Sequence, residues 1–224
     1  MAATRMATME VSNIPEAPLI SLKIMNLPNK LTIGRMCAIP LVIAISLISA
    51  LRNVVIFETI TLQELLLLIV FALASITDCL DGKIARKYNL ITDFGKFMDP
   101  LADKLLVLST LIALLEMGKF SVFGVGLGFV ITIILARELA ITGLRTLAAD
   151  NGVVIAASKL GKYKTVSQMV MIIFLIVDCY PFAFLGGMAK DITALVLISL
   201  ATILTIVSGI DYFVKNGHVL KNTK

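Results

Sequence analysis

Four aspartates crowd one short stretch of this sequence: Asp78, Asp81, Asp99 and Asp103. The first two are three residues apart and the last two are four apart. On α-helices either spacing puts the pair on one face. A turn between two helices would let the pairs confront each other. Pro100 suits this arrangement if it lies in the first turn of the second helix, where its missing N–H costs little. Carboxylates held together repel one another, and each costs about 2.5–3.5 kcal/mol at the centre of a bilayer, less near its edge. Two divalent cations would balance four carboxylates, and an all-oxygen ligand set suits Mg²⁺ or Mn²⁺. Such an ion pair is suited to phosphoryl chemistry, where it clamps the attacking and leaving oxygens. The plainer reading makes the aspartates helix caps and partners of Lys83, Arg86, Lys96 and Lys104. The paired spacing of all four disfavours it.

Other chemistries are poorly supplied. Cys37, Cys79 and Cys179 are widely spaced with no CxxC pair, so they read as small apolar residues. His218 is the single histidine and lies in the polar tail, which excludes a His-based triad or paired His ligands elsewhere.

The elements that position the aspartates are apolar. The chain has 224 residues, 58% hydrophobic and only 16% charged, with a mean hydropathy of +0.98. A bilayer span takes about 20 mostly apolar residues. Six such segments are expected, at about 31–50, 60–80, 96–117, 122–148, 162–182 and 190–214. Residues 26–215 then form one membrane catalytic domain, with 1–25 an N-terminal arm or surface helix and 216–224 a tail. The arm lacks the layout of a signal peptide.

An even number of spans puts both termini on one side. Lys83, Arg86, Lys87 and Lys96 fall between spans two and three, and Arg145, Lys159, Lys162 and Lys164 between spans four and five. The opposite face offers Arg52, Lys119 and Lys190. The positive-inside bias therefore places both termini and the aspartates at the cytoplasmic face. The net charge of +5 follows from loops facing anionic lipid, with no nucleic-acid partner expected.

The aspartates belong to a longer pattern, D-x2-D-G-x2-A-R-x8-G-x3-D-x3-D, filled by Asp78, Asp81, Gly82, Ala85, Arg86, Gly95, Asp99 and Asp103. This resembles the signature of the CDP-alcohol phosphotransferase family. Two further stretches look similar to members that make phosphatidylglycerophosphate: Asn26 to Arg35, and Arg137-Glu138 through Arg145 to Thr165.

The resemblance implies an all-α, six-helix integral membrane enzyme, commonly a homodimer, in the cell (inner) membrane with its active site facing the cytoplasm. It implies Asp78, Asp81, Asp99 and Asp103 as metal ligands, with Asp103 also the general base. Asn29, Thr32, Gly82, Ala85 and Arg86 would bind the CDP moiety. Gly82 and Ala85 would let a nucleotide approach the backbone, and Arg86 could hold a phosphate bidentately. The implied reaction transfers the phosphatidyl group of CDP-diacylglycerol to an alcohol and releases CMP.

The acceptor is read from the basic residues. Arg137 lies within an apolar span, where a guanidinium is costly and usually functional. Arg145 follows eight residues on, along one helix face, and Lys159, Lys162 and Lys164 stand at the mouth of the next span. Together they would make a phosphate-binding pocket that suits glycerol 3-phosphate. Alternatively, Arg137 is paired structurally with Glu138 and the lysines simply face anionic lipid. Inositol phosphate, phosphatidylglycerol and serine are the other acceptors to consider. A cation- or proton-coupled transporter is the reading from another class, disfavoured because the acids cluster at one face.

Overall fold

The computed structural model describes residues 27–57, 60–88, 93–156 and 158–217; the side chains of 27–28, 57, 79–88, 93–94, 96–97 and 150 lie outside that description. The arm (1–25) and most of the tail therefore fall beyond it. Six long helices follow the six apolar segments: α1 (Leu27–Leu47), α3 (Leu62–Tyr88), α4 (Asp93–Glu116), α5 (Phe129–Asp150), α6 (Lys159–Ile176) and α7 (Gly187–Asn216). Among the described residues a four-residue helix, α2 (Ser49–Arg52), a 3-10 turn (Phe182–Leu185) and two short antiparallel hairpins complete the elements. One hairpin pairs β1 (Val55–Phe57) with β2 (Ile60–Thr61), and the other pairs β3 (Ser121–Val122) with β4 (Val125–Gly126).

Two of these helices, over Asn29–Leu47 and Gly187–Asn216, are long and apolar enough to count as candidate spans on those grounds alone. The others carry the charges that interest us. Asp99, Asp103 and Lys104 lie in α4, Arg137, Glu138 and Arg145 in α5, and Lys159, Lys162 and Lys164 in α6.

The helices form two triads. α1 packs closely on both α3 and α4, while α3 and α4 touch each other little; α7 packs on α6 and α5. A continuous apolar core runs through both, from Val42, Phe71, Leu106 and Leu114 to Ile134, Ile172 and Ile198. Elsewhere the usual distribution is inverted. Large apolar side chains point outwards, among them Leu73, Leu139, Val166, Ile203 and Ile210, while Arg35, Gln63, Glu64, Lys164 and Gln168 are buried. Water would penalise such a surface and hydrocarbon does not.

Pro100 departs from expectation. α4 begins at Asp93, so Pro100 stands inside the helix and not in its first turn. Its ring leaves the Lys96 carbonyl without the usual helical N–H partner.

The end away from Asp78 is tied by ions. Glu64 opens α3 some 14 residues before Asp78, about 21 Å along the axis. Lys119 pairs with Glu64 and, at 2.8 Å, with Asp178 Oδ1; Lys190 reaches Asp178 Oδ2 at 2.7 Å. Asp191 Oδ2 accepts the Phe123 N–H of the β3–β4 turn at 3.1 Å. Asp178 and Cys179 both adopt left-handed backbone, at φ 56° and 59°, so this clasp restrains a turn that side chains disfavour. Burial alone would raise the Asp178 carboxyl, but the bonds from Lys119 and Lys190 outweigh it and hold its pKa below the ordinary carboxylate value.

Candidate active site

One face of α1 is polar and buried. Asn29, Thr32 and Arg35 recur at three-residue spacing and are at most 9% exposed. The Thr32 hydroxyl donates to Asp99 Oδ1 at 2.5 Å, and Arg35 Nη1 lies 2.6 Å from Asp78 Oδ1. α1 thus grips one carboxylate on α3 and one on α4, which ties Asp78 and Asp99 to the same helix. Arg35 was readable as an intramembrane arginine at i+3 from Thr32, yet the sequence reading gave it no role. Thr32 and Asn29, expected at the nucleotide, line the same α1 face as Arg35.

Asp81, Gly82, Ala85 and Arg86 lie on the continuing turns of α3, and their side chains fall outside the described residues. Among the described residues no three ligating side chains gather closely enough to hold an ion. The donor chemistry of the aspartates nonetheless fits a hard divalent cation. Asp78 and Asp99 each meet α1 through one oxygen, Oδ1, and carboxylate oxygens are the ligands that Mg²⁺ or Mn²⁺ takes.

Asp103, half-buried, opens onto a cavity of about 400 Å³ between α4, α5 and α6. Its polar end also holds Lys104, Glu138, Thr142 and Lys164, and its walls are leucines and isoleucines including Leu108, Leu111 and Ile134. Leu101 and Leu139 line it too and are exposed, so the cavity reaches the outer apolar surface. Lys104 Nζ donates to Thr142 Oγ1 at 2.5 Å, and Thr142 in turn donates to the Glu138 carbonyl at 2.7 Å.

The five basic residues separate. Lys164 is buried, lines the cavity and pairs with Glu138. Arg137 is bound to the same carboxylate at 2.9 Å and donates to Ser208 Oγ at 3.1 Å. Gly209 makes room for it, since a Cβ there would sit 3.2 Å from the Arg137 stem. Arg145 is exposed and donates to the Ile155 carbonyl at 3.3 Å. Lys159 and Lys162 are exposed and are not among the cavity's lining. The pocket anticipated from five cations is thus, in the described geometry, a cavity with Lys164 and Lys104 in its wall and Arg137 behind Glu138. Lys104 was readable one position after Asp103, but it was taken there only as a partner of the aspartates.

Comparison with known proteins agrees with the aspartate pattern. The CDP-alcohol phosphatidyltransferase family matches residues 25–209, and the chain belongs to that family. The CDP-diacylglycerol–glycerol-3-phosphate 3-phosphatidyltransferase of Bacillus subtilis (strain 168) is 41% identical over 200 residues, covering 88% of this chain and 98% of its own. The protein of the same name from Rickettsia bellii (strain RML369-C) is 39% identical, over 84% of this chain and 93% of its own. An Arabidopsis thaliana protein, CDP-diacylglycerol–glycerol-3-phosphate 3-phosphatidyltransferase 2, is 35% identical, over 74% and 70% respectively. Family membership leaves the transporter reading without support.

Proposed function

We propose that this protein transfers the phosphatidyl group of CDP-diacylglycerol to glycerol 3-phosphate, giving phosphatidylglycerophosphate and CMP. The observation that carries this reading is the cavity in which Asp103 shares one polar end with Lys104 and Lys164 while the walls are apolar. The names of the relatives in three unrelated groups of organisms support the choice of acceptor.

Two divalent cations, Mg²⁺ or Mn²⁺, held by Asp78, Asp81, Asp99 and Asp103, would offset the diphosphate charge and assist departure of CMP. Asn29, Thr32, Gly82, Ala85 and Arg86 are assigned to the CDP moiety. Arg35 and Thr32 orient two of the carboxylates from behind. Lys104 and Lys164 bind the acceptor's phosphate, with Arg137 supporting the latter's partner; Arg145, Lys159 and Lys162 act farther out, drawing the anion inwards. Asp103 takes the proton from the acceptor's primary hydroxyl, and the oxygen attacks the lipid-proximal phosphorus. Acyl chains leave the cavity past Leu101 and Leu139 into the bilayer.

The six long helices are read as six membrane spans with both termini in the cytoplasm. The outward apolar side chains and the Lys/Arg-rich connections at the aspartate end support this. We place the enzyme in the cell membrane, with its active site facing the cytoplasm, as a homodimer.

The test is CMP release by purified protein in detergent, with CDP-diacylglycerol and Mg²⁺. Glycerol 3-phosphate is compared with inositol phosphate, inositol, serine, phosphatidylglycerol and no acceptor. Release that requires glycerol 3-phosphate and metal, and falls about 10²–10⁴-fold in Asp103→Asn, is the expected result. Release with another acceptor would move the enzyme within its family.

A further inference from the structure

We propose that Glu138 is an internal substitute for the acceptor's phosphate: it holds Lys164 in place until the acceptor arrives, and is then displaced from it. This rests on the reading of the α4–α5–α6 cavity as the acceptor site. The pairing itself is structural. Glu138 on α5 pairs with Lys164 on α6, and both line the cavity. The Lys164 side chain is 5% exposed, and a buried ammonium requires a counter-charge. Arg137 shares the Glu138 carboxylate but is also anchored to Ser208 and packed against Gly209. Arg137 therefore keeps its position when Glu138 moves. A carboxylate and a phosphate offer an ammonium the same kind of oxygen acceptor. A phosphate seated against Lys104 and Lys164 would meet the Glu138 charge at close range, so the two anions compete.

The exchange gives the site a selectivity that cations alone would not. An acceptor bearing phosphate replaces what Lys164 loses. A neutral alcohol cannot, and leaves the Lys164–Glu138 pair closed across the polar end. Glu138 is thus a specificity-determining residue: it is the counter-ion that a phosphorylated acceptor displaces and that a neutral alcohol has no charge to displace.

The experiment titrates inorganic phosphate against thermal unfolding of the detergent-purified full chain, alongside KM for glycerol 3-phosphate. In Glu138→Gln the apparent dissociation constant for phosphate should fall about tenfold, because a like charge has been removed from beside it. KM should fall with it. Glu138→Asp keeps the charge but draws it back from Lys164, and should bind phosphate with intermediate affinity. Phosphate binding that is unchanged or weaker in these variants would overturn the exchange. If Glu138→Gln does not fold, Glu138→Asp decides by the same criterion. Tighter phosphate binding without any turnover of glycerol 3-phosphate would sink the functional reading and leave the exchange standing; turnover with unaltered phosphate affinity would do the reverse.

Discussion

Arg35 Nη1 lies 2.6 Å from Asp78 Oδ1, with the arginine side chain wholly buried and the aspartate 43% exposed. The pair is asymmetric, since the guanidinium is shut away from water while the carboxylate keeps access to solvent or to a cation. Replacing Arg35 removes a buried charge and leaves a crowded group of carboxylates less compensated.

Arg35→Leu should accordingly lower stability in detergent by about 1–3 kcal/mol, less than the 3–5 typical of a fully buried pair because Asp78 is partly exposed. Mg²⁺ should then stabilise the variant more than it stabilises the wild type, since the cation supplies the missing charge. Thermal unfolding with and without Mg²⁺ measures both. An equal Mg²⁺ effect in the two proteins would separate Arg35 from the metal ligands.

Thr32→Val keeps the shape of the side chain and removes the 2.5 Å hydrogen bond to Asp99. A bond to a charged group contributes about 1.5–3 kcal/mol. Expressed in the transition state, that is roughly a tenfold to hundredfold loss of kcat/KM. CMP release measured across metal concentrations would show the loss, and a rate equal to wild type would remove Thr32 from the machinery.

The lysines of α6 offer an internal control. Lys164 is buried in the cavity wall, whereas Lys162 is exposed. Lys164→Met should raise KM for glycerol 3-phosphate at least tenfold, and Lys162→Met should alter it about twofold or less at moderate salt. Steady-state kinetics with both variants decides between a built phosphate site and a diffuse basic surface.

The far-end clasp should respond to acid. The Asp178 carboxyl titrates below its ordinary value because of Lys119 and Lys190, despite its burial. The stabilisation is thus complete above the unfolded carboxylate pKa of about 3.9 and is lost as pH falls through the lower folded value. Asn tolerates left-handed backbone nearly as well as Asp, so Asp178→Asn isolates the charge. Its deficit, about 1–3 kcal/mol at pH 7, should shrink below about pH 4. A gap independent of pH would mean that the carboxylate charge contributes nothing.

Much of this was legible in the sequence. Each long helix falls on an apolar segment, because an uninterrupted run of about 20 apolar residues is too long for a strand and reads as a helix. The boundaries were less legible. α3 runs to Tyr88 rather than 80, since the polar motif after Asp78 continues the helix beyond the apolar stretch. α6 ends at Ile176 while the apolar stretch continues into a turn with left-handed Asp178 and Cys179. The hairpins of two or three residues carry too little alternation to be seen. The tertiary pairings were also hidden: Thr32 with Asp99 spans 67 positions, and Lys119 with Asp178 spans 59. Arg137 and Arg145 share a helix face, but that spacing does not reveal that Glu138 takes one and the Ile155 carbonyl the other.

The division of the bundle into two closely packed triads, joined more thinly where α3 meets α6 and α4 meets α5 and α6, bears on how a two-tailed lipid reaches an interior carboxylate. The cavity onto which Asp103 opens lies on that thinner seam, so the lipid has its shortest way in between the triads and not through either one. Spin labels on α4 and α5 should therefore change their separation when CDP-diacylglycerol is added, and labels on α6 and α7 should keep theirs; an unchanged α4–α5 distance would mean that the lipid enters through an opening already present between the triads.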